Sequence, residues 1–97
     1  MLSVFYLGKD GKKGEEILKK DDICSRQSIA LREAKTLGID KEGYFLFFQG
    51  SEEACERAKK LLKELVKEVE EKILEKARKA YEEESEKALQ GFGGIFG

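Results

Sequence analysis

The sequence predicts a small α+β (or small α/β) domain in two layers, with elements in the order β-α-α-β-α. Three observations predict it. Two apolar runs, residues 4–7 and 44–48, consist of strand formers. An apolar stripe at helical spacing runs through residues 51–88. Glycines at positions 8, 11, 14, 38, 43 and 50 mark where the chain turns between these segments. A chain of 97 residues is sized for one domain. Residues 1–50 read as a small α/β unit, 51–90 as a long helix and 91–97 as a Gly/Phe tail.

Residues 2–7 form the first strand, because Val4, Phe5, Tyr6 and Leu7 are uninterrupted by polar residues, as in a strand buried on both faces. Three glycines in residues 8–14 then break the chain. Residues 15–20 place Glu15 and Glu16 first and Lys19 and Lys20 last, the order that suits a helix dipole. A hairpin with Asp10-Gly11 as its turn is the competing reading. In the next segment Ala30, Leu31, Ala34 and Leu37 fall at helical spacing, Asp22 or Ser25 can cap them, and Gly38 stands where a left-handed terminus belongs. Residues 44–48 (Tyr44, Phe45, Leu46, Phe47, Phe48) put bulk on both faces, which predicts a central strand. A strand, an intervening helix and a second buried strand make a parallel or mixed sheet with a right-handed crossover the leading topology.

From Ser51 onward the pattern is helical. Ser51 is a good N-cap, followed by Glu52 and Glu53 in the first turn. Cys55, Val66, Ala77 and Ala88 share one phase of an 11-residue repeat, and Ala58, Val69 and Ala80 another, which fits a nearly straight helix. Unbroken over residues 51–88, such a helix would be roughly 55 Å long, whereas a domain of this size has a radius of gyration of about 13 Å. The apolar stripe would then overhang its own core and need a partner. The alternative is a break near residues 82–85 that lets the tail fold back. The overhang makes Val69, Ile73, Ala77, Ala80 and Tyr81 the candidate association residues, with Phe92 and Phe96 as tail anchors, and a homo-oligomer, a dimer first, the expected partner.

Composition narrows the function classes. Lys+Arg number 19 against 20 Asp+Glu, for a net charge of −1 within a 40% charged chain. That balance argues against a generally basic nucleic-acid coat and against a disordered acidic tail protein. High Lys and Glu with one Met and two Cys resembles hyperthermophile usage. Histidine is absent, so no histidine chemistry is available. The opening residues lack a basic n-region and a full h-region, and no apolar run approaches the ~20 residues of a membrane helix. The expectation is a soluble cytoplasmic protein with no membrane partner.

Candidate chemistry is sparse. Loop 8–14 carries Lys9, Lys12 and Lys13 on a glycine-rich backbone ahead of a helix, an arrangement that can cradle an anion, a nucleotide or a nucleic acid. It matches neither GxxxxGK[ST] nor GxGxxG, and Glu15 and Glu16 would repel a phosphate; a solvated turn is the simpler reading. Cys24 stands near a predicted helix start, where a thiolate can be stabilised, but the usual histidine partner is missing and the arginine spacing gives no Cx5R loop. Both Cys24 and Cys55 read as core. The aromatic strand fails the RNP1 pattern, with Glu42 in the basic position and Phe45 in the small one. Acidic groups Asp21-Asp22 and Glu82-Glu83-Glu84 lack the glycine-turned loop of a calcium site. No catalytic set, cofactor site or metal site is legible. The expected function is a small interaction or assembly protein that self-associates through its long helix, with an anion-binding module as the alternative.

Overall fold

In the computed structural model the backbone of residues 1–96 and the side chains of residues 1–84 are described. The elements are β1 (Leu2–Gly8), α1 (Gly11–Lys20), a 3-10 turn (Cys24–Arg26), β2 (Ser28–Glu33), a second 3-10 turn (Ala34–Leu37), β3 (Tyr44–Gln49), α2 (Glu52–Leu61) and α3 (Glu71–Phe96). The three strands form one sheet in the order β1-β3-β2, and both pairings are antiparallel.

Three expectations are corrected here. The sheet is antiparallel, not parallel or mixed, because residues 28–33 are a strand and not the start of a helix. Spacing of Ala30, Leu31, Ala34 and Leu37 fitted a helix, but Ile29 and Leu31 alternate with Ala30 and Arg32 across the sheet. Pairing with β3, which is apolar on both faces and needs a neighbour on each side, overrides the local period. Gly38 still takes the left-handed conformation expected of it, φ 76°, closing the 3-10 turn. Residues 15–20 are helical, as read, and the helix starts earlier, at Gly11, so residues 11–14 are its first turn.

The long helix is the second correction. Ser51 caps α2 as expected, its hydroxyl accepting from the Ala54 N–H. The helix stops after Leu61, where the Leu65 and Val66 amides donate back to the Leu62 carbonyl in a turn. Residues 66–70 then run past the edge of β1, with the Lys67 N–H donating to the Tyr6 carbonyl at 2.9 Å, before α3 begins. One apolar period is thus cut into two helices.

The cut places the two halves on opposite faces, which makes three layers instead of two. On one face Phe5, Leu7, Leu46 and Phe48 pack with Leu18 of α1, Cys24, and Ala54, Cys55, Ala58 and Leu62 of α2. On the other, Phe45 and Phe47 pack with Ala34, Leu37, Ile39 and Ala77 of α3, flanked by Val4, Tyr6, Ala30, Ile73, Leu74, Ala80 and Tyr81. The period-2 alternation of β3 sends each successive side chain to the opposite core, so this strand is the centre of both.

Two glycines are needed where chains cross closely. Gly43 has φ 88°, and a side chain there would run into the backbone of Gly8. Gly14 lets α1 approach the sheet: a Cβ on it would stand 2.5 Å from Leu7 Cδ1 and 3.2 Å from Leu62 Cδ2.

Candidate functional site

Most of the candidate association residues are engaged by the chain's own sheet. Ala77 is fully buried, and Ile73, Ala80 and Tyr81 are half-buried against the Phe45–Phe47 face. Val69 lies in the connection before α3, beside Lys41, Glu68 and Glu70. Phe92 and Phe96 fall outside the described side chains. Arg32 on β2 fastens this layer: its Nε and Nη2 donate to Glu84 at 3.1 and 3.0 Å, and its guanidinium lies 5.8 Å from the Tyr81 ring centroid.

The three lysines of the anion-binding reading do not converge on one site. Lys9 lines a cleft of about 350 Å³ with Lys35, Lys41, Glu42 and Tyr44. Lys13 lines a different one of about 290 Å³, where Lys60 and Lys63 rim a floor of Ile17, Leu61 and Leu65. Lys12 and Lys13 are exposed in the first turn of α1. Asp10 at its N-cap makes no capping bond, because its carboxylate is turned to Lys67 Nζ at 3.5 Å.

Cys24 is buried and fully shielded from solvent. Burial first, and then the neighbouring Asp21 carboxylate, push its thiol up to about 11, the direction opposite to a nucleophile's. Asp21 is the organising group. Its Oδ2 accepts from the Ile23 and Cys24 amides, and Arg57 grips both oxygens through Nε at 2.9 Å with Nη2 at 2.7 Å. The Arg57 guanidinium beside it, then the Cys24 N–H, holds the Asp21 carboxyl well below the usual carboxylate range. This arrangement ties the end of α1 to α2. Asp22 pairs with Arg26 at 3.5 Å, so neither aspartate of the pair points at a common ion site. Among the described residues no cluster of three or more metal-ligating side chains is present.

The sheet edges are the feature that residue-by-residue reading missed. The Ala34 N–H donates to the Gly43 carbonyl, which sets the phase of the β2–β3 ladder. With the observed register, Ser28, Ala30 and Arg32 then exchange hydrogen bonds with β3. Ile29, Leu31 and Glu33 therefore direct their backbone groups away from the sheet. The other ladder agrees: Met1 and Gly50 exchange hydrogen bonds at 3.0 Å, so Ser3 and Phe5 bond β3 while Leu2, Val4 and Tyr6 face outward. Lys67 covers the Tyr6 position on that edge. Among the described residues no backbone hydrogen bond from another segment reaches the outward groups of Ile29 and Leu31 on β2. Two of its outward carbonyls accept from side chains of the same strip, Leu31 from Arg32 Nη1 at 3.0 Å and Glu33 from the Thr36 hydroxyl at 2.7 Å.

No helix among the described residues is long and apolar enough to cross a membrane. No protein-family model, no curated protein and no solved structure matches this chain.

Proposed function

We propose that this chain is a non-catalytic interaction protein that self-associates. The observation that carries the reading is the open β2 edge, whose Ile29 and Leu31 are only half-buried beneath α1. A strand edge with spare backbone donors and acceptors is a template for another strand; β2 has no proline and no bulge, and its charged residues, Arg32 and Glu33, stand at one end, beyond Ile29 and Leu31. Support for association thus comes from the sheet, since the α3 stripe is largely spent on Phe45 and Phe47. The two cysteines, Cys24 and Cys55, are buried core residues. Sedimentation equilibrium over a wide concentration range tests the reading. Mass rising towards a dimer is the expected result, and a constant monomer mass up to about 1 mM refutes it.

A second reading, binding of an anionic partner, is favoured by one observation. Lys13, Lys60 and Lys63 line one cleft with Ile17, Leu61, Leu65 and one carboxylate, Glu64, and none of the three lysines has an ion pair among the described residues. Titration with nucleotides, short RNA and polyglutamate at low and high salt tests it. Salt-sensitive binding weakened by changing these lysines to alanine supports the reading, with the Lys9, Lys12 and Lys13 triple variant testing the loop version; no binding at low salt removes both.

A further inference from the structure

We propose that a second copy of this chain joins at β2, strand against strand, with the two-fold axis through Ala30, giving a continuous six-stranded antiparallel sheet in the order β1-β3-β2-β2-β3-β1. The inference rests on the self-association reading and specifies where and in what register it occurs.

Four arguments converge on this register. First, a two-fold axis perpendicular to the sheet keeps each face on its own side, so a residue on the axis must oppose itself. Its neighbours then pair with their own face: Ile29 stands opposite Leu31 of the second copy, and Leu31 opposite Ile29. Second, hydrogen-bond phase agrees. Ile29 and Leu31 are the residues whose N–H and C=O point outward, so each opposed pair exchanges two bonds, four in all. Among the described residues, the Leu31 carbonyl alone of these groups has a partner, Arg32 Nη1, and its second lone pair remains available. Third, the side chains match. Ile29 and Leu31 both lie on the α1–α2 face and are both half-buried, so β-branched and aliphatic groups cover each other where each is now partly wet. Arg32 falls opposite Ser28, and like charges are not brought together directly. Fourth, β2 is the better edge of the two. On β1 the Lys67 N–H occupies the Tyr6 carbonyl, whereas among the described residues no backbone hydrogen bond from another segment reaches the outward groups of Ile29 and Leu31.

The occupant is a second copy because the strip is complementary to itself under this operation. Shifting the axis to Leu31 keeps the hydrogen-bond phase but places Ile29 opposite the exposed, charged Glu33, leaving its apolar side chain uncovered.

Position and phase give a test with separable outcomes. Ile29→Pro removes an N–H that takes no part in the chain's own ladder, so the variant keeps its fold by circular dichroism. Ala30→Pro removes a ladder donor and should unfold the β2 edge. The expected result is a dimer whose dissociation constant rises about tenfold or more in Ile29→Pro. Should Ile29→Pro fold poorly, disulfide trapping reads the register in an otherwise native chain. On the axis, opposed Ala30 Cα atoms stand about 4.5 Å apart in a non-hydrogen-bonded pair, within reach of a disulfide. Ala30→Cys should therefore cross-link under mild oxidation, while Ser28→Cys, separated from its own copy by about 13 Å, should not. Cys24 and Cys55 are buried and do not compete. A dimer that persists in Ile29→Pro, or cross-links through Ser28→Cys and not Ala30→Cys, overturns this register and leaves self-association standing. A monomer at every concentration overturns both.

Discussion

Tyr81 of α3 stacks on Phe47 of the central strand, with ring centroids 4.3 Å apart and planes within 6° of parallel. Arg32 lies over the Tyr81 ring and holds Glu84, so β3, α3 and β2 are joined through one cluster of side chains. The stacked ring carries most of this cluster's energy. Tyr81→Ala should destabilise the chain by about 2–4 kcal/mol, from lost burial plus a lost aromatic pair. Arg32→Ala should cost about 1 kcal/mol or less, because its ion pair with Glu84 is 37% and 51% exposed at the two side chains. Urea unfolding of the two variants checks the order, and a larger loss for Arg32→Ala would show that the ion pair, not the ring, fastens α3.

At Gly14 two effects oppose each other. Alanine is the better helix former by about 1 kcal/mol. Its methyl, however, would stand 2.5 Å from a methyl of Leu7, which is itself fully buried and would have to shift. Overpacking of this kind costs about 1–3 kcal/mol. Gly14→Ala should therefore lower the thermal midpoint; an unchanged or raised midpoint would mean that α1 shifts away from β1 at little cost.

Asp21 makes stability fall in acid. Its folded carboxyl titrates below the unfolded one, held down by Arg57 and the Cys24 N–H. The stabilisation is complete above the unfolded carboxylate's value of about 3.9 and is lost as pH falls towards the lower folded value. Asp21→Asn should thus be less stable than the parent at pH 6, and the two melting curves should converge as pH drops below 4. Parallel curves across that range would assign the acid sensitivity to other carboxylates.

Cys24 acts at the opposite end of the pH scale. Burial raises its folded thiol to about 11, above the unfolded value of about 8.5. Its contribution is therefore full below the unfolded value and is lost as pH rises towards the folded one. A variant Cys24→Ala should show a smaller loss of stability between pH 8 and 10, whatever its starting stability. Reaction of the native chain with a disulfide reagent at pH 8 should be far slower than that of the unfolded chain; equal rates would show an accessible thiol.

Sequence by itself determined the local features of this protein. The strand at residues 44–48, the Ser51 cap, the left-handed Gly38 and the buried cysteines follow from side-chain size, hydrogen-bonding capacity and backbone freedom, all of which act within a few residues. Its periodicity places Cys55, Ala58, Ala77 and Ala80 on helices, where they are found, but also Val66 and Val69, which lie in the connection between α2 and α3. Tertiary structure alone decided where those positions go. Ala30 and Leu31 suit a helix or a strand, and only the need of β3 for a neighbour on each edge makes them a strand. The turn after Leu61 carries no proline or glycine to announce it. It forms because a sheet with two apolar faces is covered only when the stripe is divided between them, α2 on one side and α3 on the other. The pairs that bridge these elements, Asp21 with Arg57 and Arg32 with Glu84, lie 36 and 52 residues apart. Charge order along a helix cannot reveal them. The open edge of β2 has the same origin, since a backbone group is spare only relative to a ladder, and a ladder exists only once the strands have met.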